Sequence, residues 1–211
     1  MNSNMNKIFY IFKSTTKKHN KWQTQIDEWI EKYLSVNKNE GDEVIYYESH
    51  EKVEPYIDNH DKKQIVLMGY DLSVDVKKSA NLLKNEGYDV SIIENLCCDT
   101  SLNRHRNAVD FLRLNGYKVI RDYEFMREDI DNFIRSSLAA SSGRESNFDE
   151  NTPFHYLGYD SLDVVNLAAD LEEEYNIYIC ASMFGKLWKY KDFPRIFAKH
   201  GQLSNIYKTH S

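Results

Sequence analysis

Cysteine is scarce in this chain: Cys97, Cys98 and Cys180 are the only three among 211 residues. Two of them are adjacent, and the set makes neither a disulfide framework nor a metal-ligand spacing. No apolar run approaches the ~20 residues that a membrane helix requires. The opening MNSNMNKIFYIFKS holds one short apolar run, too short for a signal-peptide core. There is no basic stripe either. The chain has 27 basic and 33 acidic residues, a net charge of −6, which argues against a nucleic-acid partner. The seven histidines are scattered, with no H-x-x-x-H pair for a helix face. These absences exclude a secreted disulfide scaffold, a helical membrane protein and a nucleic-acid binder, and a reducing cytoplasm is the expected setting.

What is present reads as a soluble globular protein, with 41% hydrophobic residues and 28% charged residues of both signs. The first half alternates strand and helix patterns. KIFYIF (7–12), EVIYY (43–47), QIVLMG (64–69), DVSIIEN (89–95) and KVIRDY (118–123) are runs of the kind found in buried parallel strands. Between them lie helix candidates over 22–34, 74–87 and 101–116, the last opening on Ser101 as N-cap and the last two closing on Gly87 and Gly116. That order predicts an α/β unit with a mostly parallel sheet.

From Asp129 the strand pattern stops. EDIDNFIRSSLAASSG places Ile130, Phe133, Ile134 and Leu138 on one helix face. A polar loop over 144–160 follows, and then a helix opening at Ser161. Its expected apolar stripe is Leu162, Val165, Leu171 and Tyr175 with Val164 and Ala168. SMFGKLW and KDFPRIFAKHG complete an expected small helical bundle. Residues 123–201 hold 14 acidic and 8 basic side chains, while the remainder balances at 19 and 19. Such asymmetry suggests two units with different partners. The expected division is an α/β domain over 1–122 and an all-α domain over 123–211. No Gly- or Ser-rich linker separates them.

Ser161 draws attention because it sits at a helix mouth with no base in view. One reading makes it an N-cap, its oxygen accepting an orphan amide, with Asp160 and Asp163 suited to the positive helix end. A second makes it a nucleophile with His155 and Asp160, but the G-x-S-x-G elbow is absent and sequence adjacency is not triad geometry. The third uses the whole segment. LGYDSLDVVNLAADLEEEYNIYI, with Leu157, Gly158, Asp160, Ser161 and Leu162 in register, resembles the acyl and peptidyl carrier protein family over about eighty residues. The resemblance implies a four-helix bundle whose Ser161 carries a covalent 4′-phosphopantetheine. The serine then needs no local base, because a phosphopantetheinyl transferase attaches the arm. Other implied partners are an adenylation or acyl-loading enzyme and a downstream condensation or ketosynthase-type enzyme. The acidic helix, with Glu172, Glu173 and Glu174, is the expected docking face. Exposed Met183, Phe184 and Leu187 are the alternative.

The first half resembles the isochorismatase-type cysteine hydrolase family, more loosely, through GDEVIYYES and QIVLMGYDLSVDVKKSANLLKNEGYDVSIIENLCCDTSLNRHRNAVDFL. Fusion of such a domain to an aryl carrier in this order is the arrangement of enterobactin-type siderophore pathways. The family's Asp, Lys and Cys are expected to be lost. KIFYIF looks like the family's second strand, so the first strand and its aspartate are expected to be missing. Tyr47 falls where the lysine belongs and Asp75 where the cysteine belongs. His105 is a lone helical histidine, and Asp71, Asp75 and Glu94 are candidates for a new acidic site. Cys97 and Cys98 fit buried small apolar positions. The expectation is a non-enzymatic carrier for a nonribosomal peptide, polyketide or siderophore pathway. Its truncated, inactive first half would scaffold the carrier, dock a partner or form a homodimer. The alternative is an active hydrolase with a shifted site. The cargo stays open among acyl, aryl and aminoacyl groups.

Overall fold

The computed structural model describes residues 6–13, 21–53, 64–142, 149–175 and 189–192. The chain divides into two compact units, Met1–Arg121 and Asp122–Ser211.

The first unit is built on a five-stranded parallel sheet. Its strands are β1 (Lys7–Phe12), β2 (Glu43–Tyr47), β3 (Gln64–Tyr70), β4 (Asp89–Cys98) and β5 (Lys118–Ile120), in the spatial order β2-β1-β3-β4-β5. β1 and β3 lie inside the sheet and are apolar beyond their first residues, Lys7 and Gln64. Ile8 through Phe12 and Ile65 through Met68 are buried without alternation, as expected when both faces of a parallel sheet are covered. Helix α1 (Lys21–Asn37) buries Ile26, Trp29, Ile30, Tyr33 and Leu34, a stripe at helical spacing. Helix α2 (Lys77–Asn85) buries Ser79, Ala80 and Leu83. Helix α3 (Leu102–Leu114) buries His105, Ala108, Val109 and Leu112. Ser101 caps α3 as expected, its side chain accepting from the Arg104 amide.

Three local departures from expectation have physical causes. The chain after β3 does not enter an α-helix at Val74: residues Leu72–Val76 form a wide π-type turn, because the Asp71 carboxylate holds the Ser73 amide and delays the helix to Lys77. β4 runs on to Cys98, with a register shift opposite Leu67–Gly69 that accommodates its extra residues. β5 ends at Ile120, being an edge strand that pairs with β4 alone.

Gly69 fixes the close approach of β3 to β1. Its φ is +109°, and a Cβ there would lie 2.2 Å from the Phe12 carbonyl oxygen.

In the second unit, helix α4 (Arg127–Ser142) buries Ile130, Ile134 and Leu138, and half-buried Phe133 meets the Tyr175 ring edge-on at 5.4 Å. A short 3-10 turn (Phe154–Leu157) leads through Gly158 to helix α5 (Ser161–Tyr175). The core face of α5 is Val164, Leu167, Ala168 and Leu171. The expected stripe is therefore rotated: Leu162 and Val165 point to solvent, at 62% and 41% exposure. Tyr190 is buried beside α4, its hydroxyl meeting Asp131 and its ring covered by the Arg135 guanidinium. SMFGKLW lies outside the described residues, as does the last segment beyond Asp192.

Candidate functional sites

The loop before α5 is pinned at two buried rings. Phe154 and Tyr159 pack edge-on at 5.9 Å, and the Tyr159 hydroxyl donates to the Leu138 carbonyl at the end of α4 (2.7 Å). Gly158, between them in the chain, takes the left-handed conformation (φ +85°) that lets the chain reverse into the helix. These anchors present Ser161 at the first helical position, exposed, with exposed Tyr156 and Leu162 nearby in the chain.

Ser161 is not the cap. Asp160 Oδ1 accepts from the Leu162 and Asp163 amides (2.7 and 3.1 Å), and Asp163 Oδ2 accepts in return from the Asp160 amide (2.8 Å). This is a reciprocal capping box, and it leaves the Ser161 hydroxyl without a hydrogen-bond partner among the described residues. The D-x-x-D spacing is visible in the sequence, but serine and aspartate are equally good caps, and only the hydrogen bonds separate them. His155 lies tilted against Tyr156, ring centroids 4.2 Å apart, and Asp160 is held by amides. The triad reading has no geometry behind it. The helix end offers a phosphodiester little, because two of its free amides already serve Asp160 and two carboxylates stand beside the serine. What fits a covalent phosphate arm here is access: an exposed hydroxyl with no partner to displace, on a rigid turn.

The second candidate lies at the carboxyl ends of the strands. In an open parallel sheet, ligands bind where strand order reverses, here outside β1 and β3. Three side-chain groups occupy that edge. Tyr47 ends β2, stacked on Phe12 at 5.6 Å and tilted against Tyr10 at 4.9 Å. Asp75 accepts from both the backbone amide and the Nδ1 of His50 (2.8 and 2.7 Å), and Lys78 Nζ approaches the other His50 ring nitrogen at 3.3 Å. Asp71 and Asp99 share Ser73: its amide donates to both, and its hydroxyl donates to Asp71. Arg104 closes this group, donating to Ser73 Oγ and Thr100 Oγ1 and lying 3.3 Å from Asp99. Burial and its hydrogen bond to Asp99 raise the Asp71 pKa. Burial acts upward on Asp99 too, but the hydrogen bonds from Asp71, Ser73 and Thr100 hold it below the ordinary range.

Asp71, Asp75 and Glu94 are not brought together as an acidic site. Glu94 is buried within β4, bonded to Arg113 (2.5 Å) and to Arg121. Burial works to raise its pKa, yet Arg121 and Arg113 outweigh that and keep it low. His105 is buried, and its pKa is lowered by that burial. Cys97 and Cys98 are buried free thiols, as expected, and burial raises the pKa of each. Cys180, Met183, Phe184 and Leu187 lie outside the described residues. No group of three His, Cys, Asp or Glu among the described residues could hold a metal ion. No helix there is long and apolar enough to cross a membrane. The His50–Asp75 and Glu94–Arg pairings left no sequence signal, since their members are distant in the chain.

The isochorismatase domain model matches residues 5–122, more than half of the chain. The chain belongs to the isochorismatase family. A second model, the phosphopantetheine attachment site, matches residues 132–185 of the same chain. The isochorismatase unit is thus joined to a carrier unit, and the carrier domain implies a covalently attached 4′-phosphopantetheine, a phosphopantetheinyl transferase and acyl-handling partner enzymes. Among solved structures, an isochorismatase-like hydrolase from Alkaliphilus metalliredigens matches with 15% identity and a TM-score of 0.41, covering 55% of this chain and 93% of that one. The nicotinamidase from Staphylococcus aureus matches with 11% identity and a TM-score of 0.39, covering 55% and 98%. Pyrazinamidase of Pyrococcus horikoshii matches with 10% identity and a TM-score of 0.37, covering 56% and 99%. No curated protein matches the chain.

In the isochorismatase unit β1 pairs with both β2 and β3 and is followed by α1, and the family match begins at residue 5.

Proposed function

We propose that Ser161 is the attachment residue, and that the chain is a carrier holding an acyl, aryl or aminoacyl group in a nonribosomal peptide, polyketide or siderophore-type pathway, in the cytoplasm. The observation that carries this reading is the exposed Ser161 hydroxyl, without a hydrogen-bond partner among the described residues, on a turn fixed by Phe154, Tyr159 and the Asp160–Asp163 box. When bound, the arm supplies a thiol that holds cargo as a thioester. The chain's own residues do the rest. The capping box keeps the helix start rigid, and the Tyr159–Leu138 bond ties the serine loop to α4. Leu162 and Val165 offer apolar contact to an incoming enzyme, and Asp170, Glu172 and Glu173 offer charge that steers basic surfaces.

The isochorismatase unit is read as a scaffold or docking domain without hydrolysis. What supports this is the self-satisfaction of the sheet edge. Tyr47 is packed in an aromatic cluster, Asp75 is committed to His50, and Asp71 and Asp99 are committed to Ser73 and Arg104. The lysine and cysteine of the family pattern are replaced by Tyr47 and Asp75, which cannot serve as a fixed cation and a soft nucleophile.

The test is intact mass spectrometry of the full chain after co-expression with a broad-specificity phosphopantetheinyl transferase. The wild type should gain the mass of one arm, and Ser161→Ala should gain none. An arm on the alanine variant would overturn the assignment. Loading assays with candidate adenylation enzymes then identify the cargo.

A further inference from the structure

The charge of the isochorismatase unit is balanced overall but not evenly placed. Helix α2 carries Lys77, Lys78 and Lys84 and no carboxylate, and α3 carries Arg104, Arg106 and Arg113 against Asp110 alone. Arg104 and Arg113 are paired within the fold, to Asp99 and Glu94. The three lysines have no carboxylate partner among the described residues. Lys77 lies over the Phe111 ring (5.1 Å), Lys84 lies over Tyr117 (4.2 Å) and donates to the Asn115 carbonyl, and Lys78 meets His50. These contacts place α2 beside the end of α3. There Leu114 is 87% exposed and Phe111 is 42% exposed, with Leu82 exposed on α2. The result is an apolar patch set among unneutralised ammonium groups.

A partner for such a face must pair apolar side chains with carboxylates along one helix. Helix α5 has that chemistry: Leu162 and Val165 are exposed on one side, flanked by Asp170, Glu172 and Glu173, and no basic residue lies between Ser161 and Tyr175. Phe111, Leu114, Leu162 and Val165 are all exposed.

We propose that the α2–α3 face of one copy receives α5 of a second copy. Phe111 and Leu114 meet Leu162 and Val165, and Lys77 and Lys84 face the α5 carboxylates. The apolar centre would supply the attraction, and the charges would fix partner choice and speed of encounter. This inference does not depend on what is attached to Ser161.

Sedimentation velocity of the full unmodified chain, run over a concentration series, tests it. A dimer that weakens with added salt is expected. Lys77→Glu with Lys84→Glu should raise its dissociation constant about tenfold or more, and Glu172→Lys with Glu173→Lys should do the same. Combining all four substitutions should restore association, a rescue that misfolding cannot produce. Leu114→Asp, at a site exposed enough not to disturb the fold, should also dissociate it. A monomer at every concentration overturns the proposal. So does a dimer indifferent to the lysine changes, one lost by the lysine changes but kept by the glutamate changes, or a fourfold variant that stays dissociated.

Discussion

Ser161 and Asp160 are neighbours with separable roles, and substitution distinguishes them. Asp160 holds two amides of α5, so Asp160→Ala should lower the unfolding free energy of the carrier unit by about 1 kcal/mol. Ser161→Ala removes a hydroxyl with no hydrogen-bond partner among the described residues, and its effect on stability should stay within about 0.5 kcal/mol. Denaturant unfolding of both variants checks the pair; a larger loss from Ser161→Ala would mean that the serine has a structural bond after all. Gly69 is the other position where one atom decides. A β-carbon there meets the Phe12 carbonyl at 2.2 Å on a backbone already at φ +109°, so Gly69→Ala should cost about 3 kcal/mol, read as a lowered urea midpoint. The serine was legible in the sequence because a whole motif surrounds it. The identity of the cap was not, because serine and aspartate compete for that role at adjacent positions and only hydrogen-bond geometry separates them.

At the level of elements, β4, α3 and the chain after β5 are joined by buried charge. Glu94 in β4 binds Arg113 of α3 and Arg121 beyond β5, with His105 buried on α3. Both ionisable groups have folded-state pKa values below their unfolded ones. For His105, burial disfavours the imidazolium. Below about pH 6.5 the unfolded chain takes up a proton that the native state refuses, so stability is full above that pH and falls as pH drops toward the folded pKa. Glu94 acts in the same direction at lower pH: its contribution is present above the unfolded carboxylate pKa and is lost as pH falls through the folded one. Urea midpoints measured from pH 8 to about pH 2 should therefore decline in two stages, the lower one beginning only below the ordinary carboxylate range, and His105→Gln should remove the upper stage. An unchanged upper decline in that variant would assign it elsewhere. The strands and helices themselves were legible from their Val/Ile/Phe/Tyr runs and helical spacing. The α5 stripe was misplaced because Leu162 and Val165 fit an apolar face by spacing alone, while burial selects Val164, Leu167, Ala168 and Leu171. The His50–Asp75 pair was invisible because the sheet, not the sequence, brings its members together.

For the whole molecule, the change from strand–helix alternation to an acidic helical pattern was enough to foresee two units, and charge asymmetry was enough to suggest different partners. Reversing Glu172, Glu173 and Glu174 to lysine should slow loading by the acyl-handling enzyme, and added salt should slow the wild type; unchanged rates in both would leave those side chains with a solubility role only. The chemistry of the isochorismatase unit is a question of magnitude. A positioned acid or base contributes about 10²–10⁴-fold, and catalytic groups that act as a unit lose most of their joint effect when one is removed. Tyr47 presents no fixed positive charge to an anionic substrate, and Asp75 adds a negative one at the same edge. The remaining polar groups there are bonded to each other, so a substrate would have to break the Ser73–Asp99–Arg104 set before gaining contacts of its own. Purified full-length protein should therefore show no turnover of isochorismate or simple amides above the no-enzyme rate. His50→Ala and Asp75→Ala should leave that baseline unchanged. Turnover that disappears in either variant would make the His50–Asp75 pair a working acid–base dyad and the unit a hydrolase with a shifted site.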